Sequence, residues 1–298
     1  MRSSLQSRPT RRHCRVRGLI AAIVAVGIPG CSTVLGIDAN RSVVSETLDA
    51  GAWDCLGAPS EALDPSRQVE LTLLVMDALQ SSTAAGAIDG GSDLDTVSGV
   101  WLPGVAVQGC ALRDLNCESG STSVVTTNSA GAATFSLTQD FAGYFEMRRS
   151  DLVPATLYPG NLLVGQPVAS FPAYDISPAG LRDLASTITP EAIGLDPAGN
   201  VGHAIVTVYD CLDHQAPLVS VTYSTSAPST VPYYFADGLP SSTATMTDSY
   251  GLAGAVNLPI GSMTVTAALP SSKTPVGMTA FLVRPGALTF AWIRARTH

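Results

Sequence analysis

Apolar and polar residues alternate along much of this chain with a period of two, which indicates β-strands with one buried face. From Gln68 onward, Val69, Leu71, Leu73 and Val75 alternate with more polar neighbours. Similar short stretches occur at 105–107, 123–127, 133–137, 144–146 and 205–209. Clusters of Gly, Pro, Asn and Asp separate them, as expected for short strands joined by turns. The pattern therefore predicts a mainly β protein.

One stretch has helical periodicity, and it lies between two strand-rich segments. Ser177 suits the N-cap of a helix and Pro178 suits its first position. The apolar residues that follow share one helical face, namely Leu181, Leu184 and Ala185. We therefore predict a short helical linker within residues 173–200, preceded by a first module at 68–172 and followed by a second module at 201–298.

The two strand-rich segments share a weak internal repeat. Its matched pieces are Leu74–Ala78 with Thr207–Cys211, Pro103–Val107 with Pro217–Val221, and Thr127–Gly131 with Thr247–Gly251. The last pair is a Thr-Asx-x-x-Gly turn, in which Gly tolerates positive φ. We expect both turns to be hairpins, with Gly131 and Gly251 at positive φ. The repeat predicts two tandem β-sandwich modules of about 100 residues each.

The motif order in the second module resembles the carboxypeptidase regulatory-like domain, a small transthyretin-like (prealbumin-like) sandwich. The resemblance rests on Val-x-Asp, Pro-x-Val-x-Val and Thr-Asp-x-x-Gly, followed by Asn257–Val265, and runs from His203 to about Phe290. It is patchier in the first module, where Thr138–Tyr144 replaces the Leu-Pro-x-Gly start of a strand. The resemblance implies two tandem Greek-key modules without an active site or catalytic residues, and thus not an enzyme.

The N-terminus has the build of an export signal. Six arginines and no acidic residue occur in residues 1–30, and the apolar run Gly18–Gly27 follows the last arginine. A short apolar run behind a basic segment is typical of a secretory signal peptide. The next residues, Ile28–Cys31, resemble the processing box of bacterial lipoproteins, which implies that Cys31 is acylated, for instance with palmitate. We predict a lipoprotein signal peptide at 1–30 and an aperiodic tether at 31–67.

Two other interpretations of this segment remain open. Gly18–Ile37 is free of charge and long enough to span a bilayer as an uncleaved anchor, although Pro29 and Gly30 interrupt it. Thr10–His13 hints at a twin-arginine signal. Ser32 is not the aspartate that retains enteric lipoproteins at the inner membrane, so the resemblance favours the outer membrane. A lipid box before such modules also resembles uncharacterised lipoproteins of the myxobacterial type.

Four cysteines remain beyond the signal and the lipid box. An even number of cysteines in an oxidising compartment suggests disulfides. Cys110 and Cys117 flank a short polar turn and form the simplest pair. Cys55 and Cys211 are then left to pair, which would tie the N-terminal segment to the second module. A metal site at these thiols is disfavoured because the chain has no Cys-x-x-Cys.

Charge narrows the set of partners. The chain has 16 basic and 24 acidic residues, giving a net charge of −8. The six arginines of the signal leave only 10 basic residues in 31–298. Such acidity argues against nucleic acid, whose affinity depends on Lys and Arg contacts to phosphate. The expected partners are the membrane, through a lipid anchor, and an envelope protein or a glycan; the oligomeric state is left open.

Candidate chemistry is sparse. The G-x-S-x-G, H-E-x-x-H, P-loop and G-x-G-x-x-G motifs are missing from the sequence. His203 begins a strand, and His214 lies near Asp210, where a His–Asp pair would suit a hydrolase with a dispersed site. The favoured interpretation is that both histidines are exposed residues flanking a strand. We expect no cofactor.

Two further groups of residues are candidates for binding. Asp89, Asp93 and Asp95 share a Gly-rich loop that could offer oxygen ligands to Ca²⁺, although their spacing is not that of an EF-hand, and a solvated loop is favoured. Aromatic residues near turns can stack on sugars or anchor a partner, and the candidates are Trp101, Tyr233, Tyr234 and Phe235.

These observations favour a non-catalytic, lipid-anchored cell-envelope protein with a structural or binding role, exported and held at the outer membrane. The alternatives are a carbohydrate- or peptide-binding surface receptor, which exposed coplanar aromatics would support, and a hydrolase whose site is too dispersed to recognise.

Overall fold

The computed structural model describes residues 51–57, 64–78, 100–118, 122–160, 168–236, 239–270 and 273–295. These ranges contain fifteen β-strands and one helix, which confirms the mainly β prediction. The predictions at Cys31, the signal and the carboxylates Asp89, Asp93 and Asp95 lie outside the described residues. The strands of the first half are β1 Gln68–Asp77, β2 Ala106–Ala111, β3 Val125–Thr126, β4 Ala132–Thr138, β5 Gly143–Arg148, β6 Ala155–Tyr158 and β7 Val168–Asp175.

The helix and the second half follow. The helix α1 is Pro178–Ser186, and the strands after it are β8 Val201–Tyr209, β9 Ser220–Tyr223, β10 Val231–Ala236, β11 Leu239–Ser241, β12 Leu252–Pro259, β13 Gly261–Leu269, β14 Thr274–Val283 and β15 Leu288–Arg294. The predicted N-cap is confirmed, because the Ser177 hydroxyl accepts a hydrogen bond from the Gly180 N–H at 3.1 Å. Leu184 and Ala185 on the apolar face pack against β10 and β12.

Strand pairing repeats between the halves. In the first half β1 lies between β4, which is antiparallel to it, and β7, which is parallel. In the second half β8 lies in the same way between β12 and β15. Three further strands of each half pair as β2–β5–β6 and as β9–β13–β14, all antiparallel. The internal repeat seen in the sequence is therefore a repeat of topology, with β8, β9, β12, β13, β14 and β15 equivalent to β1, β2, β4, β5, β6 and β7.

The two halves are joined edge to edge. β6 pairs in parallel with β15, from Ala155 opposite Leu288 to Tyr158 opposite Ala291. This pairing builds one nine-stranded central sheet, sheet B, in the order β11-β10-β12-β8-β15-β6-β5-β2-β3. Two three-stranded sheets flank it: sheet A, with the order β4-β1-β7, and sheet C, with the order β14-β13-β9. The bounds predicted for the modules stay a prediction, while the central sheet runs through both halves.

The central sheet is buried on both faces. Side chains of successive residues in a strand point to opposite faces, and β15 shows the consequence. Phe290 and Trp292 belong to the core beneath sheet A, whereas Ala291 and Ile293 belong to the core beneath sheet C. β15 therefore contributes to both hydrophobic cores.

The two Thr-Asx-x-x-Gly turns confirm one prediction and correct another. Gly131 and Gly251 have φ values of 69° and 61°, as expected. Neither turn is a hairpin, however. The first turn leads from β3 in the central sheet to β4 in sheet A, and the second leads from β11 to β12, which β10 separates. The reason is that each turn directs its glycine carbonyl to the first strand of its half, where it accepts the N–H of Val75 or Val208 at 2.8 Å.

Candidate functional site

Both predicted disulfides are formed. Cys110 and Cys117 close a loop after β2 with a Cα–Cα distance of 5.2 Å, and Cys55 is bonded to Cys211 with a Cα–Cα distance of 5.6 Å. The sulfur atoms of Cys110 and Cys117 lie within 4.8 Å of a Glu146 carboxylate oxygen. Bonded sulfurs are not thiolates, and the thiolate is the form of cysteine that ligates metal. The trio therefore does not make a metal site while the disulfide is intact.

A buried ion cluster ties the halves together beneath the disulfide loop. The Glu146 carboxylate on β5 is only 4% exposed and pairs with Arg284, which lies between β14 and β15, and with Arg148. Arg284 also donates to the Leu115 carbonyl at 2.7 Å and to the Tyr144 hydroxyl at 2.8 Å. Because a buried carboxylate without its cation is strongly destabilising, Arg284 holds the second half against the first.

Two stacked tyrosines extend this cluster. The rings of Tyr144 and Tyr158 are 4.9 Å apart, and the Tyr144 hydroxyl donates to the Asp114 carbonyl at 2.7 Å. The Tyr158 hydroxyl accepts the N–H of Leu282 at 3.2 Å. Burial raises the pKa of Tyr144 to about 12, so its hydroxyl remains protonated and donating at neutral pH. The pair fixes the position of β14 and the disulfide loop.

An open groove of about 610 Å³ runs beside the cluster. Its lining includes Asn116, Arg148, Ile260, Gly261, Arg284 and Pro285. The Arg148 side chain is 64% exposed, and Ile260 is 47% exposed. The groove thus offers an accessible guanidinium beside an apolar side chain, a combination suited to an acidic sugar or peptide. Its residues come from the disulfide loop, the end of β5, the β12–β13 turn and the β14–β15 turn, and the sequence analysis did not single them out.

His203 has a structural role. It is 1% exposed, its Nε2 lies 2.9 Å from the Gly194 carbonyl, and its Nδ1 accepts the N–H of Asn257 at 3.3 Å. Burial lowers the pKa of His203, so the ring is neutral and carries its proton on Nε2. Both ring nitrogens are thereby occupied, and the expectation that His203 is exposed is wrong.

The His214–Asp210 pair does not have the geometry of an oriented catalytic pair. His214 Nδ1 lies 3.8 Å from Asp210 Oδ2, and the His214 side chain is 53% exposed. Asp210 Oδ1 accepts the N–H groups of Leu212 at 2.8 Å and of His214 at 2.9 Å. Asp210 therefore closes the turn that follows β8.

The aromatic candidates do not form an exposed platform. Tyr233 and Phe235 are 2% and 5% exposed, and they pack against α1. The alternation of β10 sends Tyr234 to the other face, where its hydroxyl accepts the Val221 N–H at 2.9 Å. Trp101 is half-buried against Met76. The candidate stacking platform is therefore not formed, because Tyr233 and Phe235 lie in a core and Tyr234 and Trp101 are half-buried.

One buried carboxyl was not singled out from the sequence. Asp175, the last residue of β7, is fully buried, and its Oδ1 accepts the Ile176 N–H at 2.8 Å. Its Oδ2 has no hydrogen-bond partner among the described residues. Burial raises the pKa of Asp175 to about 8, so this carboxyl is protonated at pH 7.

No helix within the described ranges has both the length and the apolar character needed to cross a membrane. No protein-family model matches the chain, and no curated protein is similar to it.

Several solved structures share a distant likeness with the chain. The Bacillus anthracis TIE protein is 14% identical over 76% of this chain and 34% of its own, with a TM-score of 0.21. The minor pilin of Streptococcus agalactiae is 15% identical over 76% of this chain and 95% of its own, with a TM-score of 0.22. The major pilin SpaD of Corynebacterium diphtheriae is 14% identical over 74% of this chain and 66% of its own, with a TM-score of 0.25. Scores this low assign neither a fold nor a function to this chain.

Proposed function

We propose that this chain is a non-catalytic bacterial lipoprotein of the cell envelope, anchored at the outer membrane through an acylated Cys31, with a structural or binding role. The observation that carries the proposal is the pair of disulfides, Cys55–Cys211 and Cys110–Cys117. Disulfides persist in oxidising compartments outside the cytosol. The basic segment, apolar run and Ile28–Cys31 box at the N-terminus supply the matching export signal.

The repeat supports a modular structural role. Each half uses the same strand pairing and the same turn, which fits the proposal that both are carboxypeptidase regulatory-like, transthyretin-like modules. The histidines support the non-catalytic assignment. Both ring nitrogens of His203 are engaged by backbone groups, and the Asp210 carboxylate, the candidate partner of His214, accepts two backbone N–H groups of a turn. We therefore prefer this role over a hydrolase.

Mass spectrometry of the full-length chain expressed in a Gram-negative host tests the anchor. We expect the membrane-fraction protein to begin at Cys31 and to carry acyl chains. Cys31→Ser should abolish acylation, while the matched variant Cys14→Ser, within the signal, should leave it intact. Recovery of an unmodified Cys31, or of a chain that retains residues 1–30, would refute the lipoprotein assignment.

A receptor role is the second candidate, and the groove at the junction of the halves favours it. The exposed Arg148 guanidinium would pair with a carboxylate of an acidic oligosaccharide or peptide. Titration with polygalacturonate fragments and with glutamate-rich peptides tests this role. We expect Arg148→Gln to weaken binding and Arg182→Gln, on the exposed side of α1, to leave it unchanged. Equal binding by both variants would remove the groove as a receptor site.

A further inference from the structure

The contact that joins the two halves is made by one strand from each. β6 of the first half and β15 of the second pair in parallel over four residues each. By the topological repeat, the counterpart of β6 in the second half is β14, and the counterpart of β15 in the first half is β7. Both counterparts are edge strands: β14 ends sheet C and β7 ends sheet A.

The register of the junction can be carried to these edges residue by residue. Equivalent chains of paired residues run across the antiparallel strands, as Gln108–Glu146–Thr156 in the first half and as Thr222–Thr266–Met278 in the second. Met278 on β14 therefore stands where Thr156 stands on β6. The parallel pairs β1–β7 and β8–β15 can be aligned in the same way. Met76 faces Tyr174 in the first pair, and the equivalent residue Tyr209 faces Arg294 in the second. Ala169 on β7 then corresponds to Thr289 on β15.

Burial differs sharply between these equivalent positions. Thr156 is 3% exposed and lies 3.2 Å, oxygen to oxygen, from Thr289 across the junction. Met278 is 70% exposed, the highest value among the large apolar side chains described as exposed. A position that is covered in the first half is thus left open in the second, and it carries an apolar side chain.

The outer edge of β14 is able to accept another strand. Thr264, opposite Ala280, directs both its backbone groups to Ser224 on its other side: its C=O accepts the Ser224 N–H at 2.9 Å, and its N–H donates to the Ser224 hydroxyl at 3.0 Å. In an antiparallel pair the N–H and C=O of Ala280 therefore point away from β13, toward the outer edge. β14 is ten residues long and has no charged residue of the kind that protects natural edge strands. Pro275 and the bulge next to it, which also protect edges, lie before Met278 and Ala280 and leave that segment available. No strand in the described part of the chain pairs with that edge.

The β7 edge is compatible with the same register. The segment equivalent to the paired residues 288–291 is 168–171, and it lies before Pro172. Proline lacks the N–H that a sheet partner needs, so its place outside the register leaves the pairing segment intact.

We propose that β14 of one copy of this chain pairs in parallel with β7 of a second copy, repeating between molecules the β6·β15 contact made within one. The occupant of the β14 edge is a second copy because the internal junction already shows that these two strand types fit. The contact is heterologous, since each copy offers β14 at one end and β7 at the other. It leaves a free β14 edge on the newly added copy, so assembly continues head to tail, into a closed ring or an open filament. This inference does not depend on the lipid anchor or on ligand binding at the groove.

Disulfide trapping between two separately made full-length variants, Met278→Cys and Ala169→Cys, tests the pairing. We expect an oxidised dimer on non-reducing gels when the two variants are mixed, and only a weak one from either variant alone. Ser136→Cys, on the other edge strand of sheet A, is the matched control and should not cross-link to Met278→Cys. Cross-linking of Met278→Cys to itself or to Ser136→Cys as strongly as to Ala169→Cys would overturn the proposal.

A second measurement avoids the introduced cysteines. Sedimentation of the full-length chain in detergent should show an average mass that rises with protein concentration. Ala280→Pro removes an outward N–H and should abolish that rise, while an unchanged far-UV spectrum and melting temperature confirm that the variant folds. Met278→Lys places a charge at the position that corresponds to Thr156 of the internal junction, and it should also weaken the rise in average mass. A wild-type chain that stays monomeric throughout, or an equal rise in both variants, would refute the pairing.

Discussion

Thr127 and Thr247 occupy equivalent positions in the two halves and make the same two hydrogen bonds. Each buried hydroxyl accepts a valine N–H, at 2.9 and 3.0 Å, and donates to a backbone carbonyl at 2.7 Å. The partners are Val105 and Leu102 in the first half and Val219 and Ala216 in the second. The threonine of the repeated turn thus satisfies two backbone groups that lie out of reach of water.

Replacing this hydroxyl should be costly even when the shape is kept. Thr247→Val leaves the Val219 N–H and the Ala216 carbonyl buried without their partner, and we expect a loss of about 2 kcal/mol. Thr247→Ser retains the hydroxyl and should lose less. Urea unfolding of the three chains measures the difference. Equal midpoints for the Val and Ser variants would mean that the hydroxyl is not needed.

Alanine substitutions at two glycines of the first half should destabilise the fold by different amounts, because the space around the two residues differs. Gly131 has a φ of 69°, and a Cβ there would lie 2.6 Å from the Val75 carbonyl oxygen. Gly104 has a φ of 76°, but a Cβ would meet no atom within 4 Å, and its equivalent is Leu218 at a φ of 60°. We expect Gly104→Ala to cost about 1 kcal/mol, for the left-handed backbone alone.

Gly131→Ala adds a clash with the backbone to the same conformational cost, so it should lower the melting temperature considerably more than Gly104→Ala. Differential scanning calorimetry of the two variants provides the comparison. Similar melting temperatures would contradict the tight turn described at Gly131.

Asp175 should make stability depend on pH. Its pKa is about 8 in the folded chain against an ordinary value of 3.8. Between these values the unfolded chain releases a proton that the folded chain keeps, so stability is lost as pH rises from about 4 to about 8. Asp175→Asn keeps the acceptor for Ile176 and should stabilise the chain at pH 7, on the order of 2–4 kcal/mol.

The gain from Asp175→Asn should shrink toward pH 4, where both states of the wild-type chain are protonated. Urea unfolding at several pH values measures it. The matched variant Asp151→Asn, at a carboxylate that is 64% exposed, should not reproduce this profile. A gain of the same size at pH 4 and pH 7 would exclude titration of Asp175 as its cause.

The two disulfides should contribute unequally. Cys55–Cys211 closes a sequence separation of 156 residues, whereas Cys110–Cys117 closes one of 7. If each disulfide acts by restricting the unfolded chain, removing Cys55–Cys211 should lower the free energy of unfolding by about 5 kcal/mol, and removing Cys110–Cys117 should lower it by about 2.5 kcal/mol. Chemical unfolding of the two paired Cys→Ala variants tests the order, and a larger loss for Cys110–Cys117 would reverse it.

Period-two alternation predicts β1 to β5 and β8, and helical spacing behind Ser177 predicts α1, whereas strands such as β6, β7 and β14 were not placed from the sequence. Neither pattern predicts that β6 and β15 pair, because parallel pairing between strands so distant in sequence leaves no local signal. One available clue was the run Leu288–Ile293, which is apolar on both faces apart from Thr289. Strands buried on both faces read as such continuous runs, so this run indicates a strand inside the sheet.

Contacts of individual side chains lie further beyond the sequence. Gly254 looks like an ordinary strand residue, yet a Cβ there would lie 2.3 Å from the ring of buried Tyr233. The same alternation that identifies β10 cannot decide which of its aromatic rings faces a core. Glu146 and Arg284 are 138 residues apart, and only the folded sheets bring them together.

The place of β15 also sets the order in which the molecule can be completed. Its Leu288, Phe290 and Trp292 side chains fill the core that the earliest strands enclose. The first half therefore cannot close its interior until β15 has left the ribosome. Contacts between such distant parts of a chain form slowly. The first half thus stays open to chaperones until β15 arrives, and a truncation that removes β15 deprives both halves of their native packing.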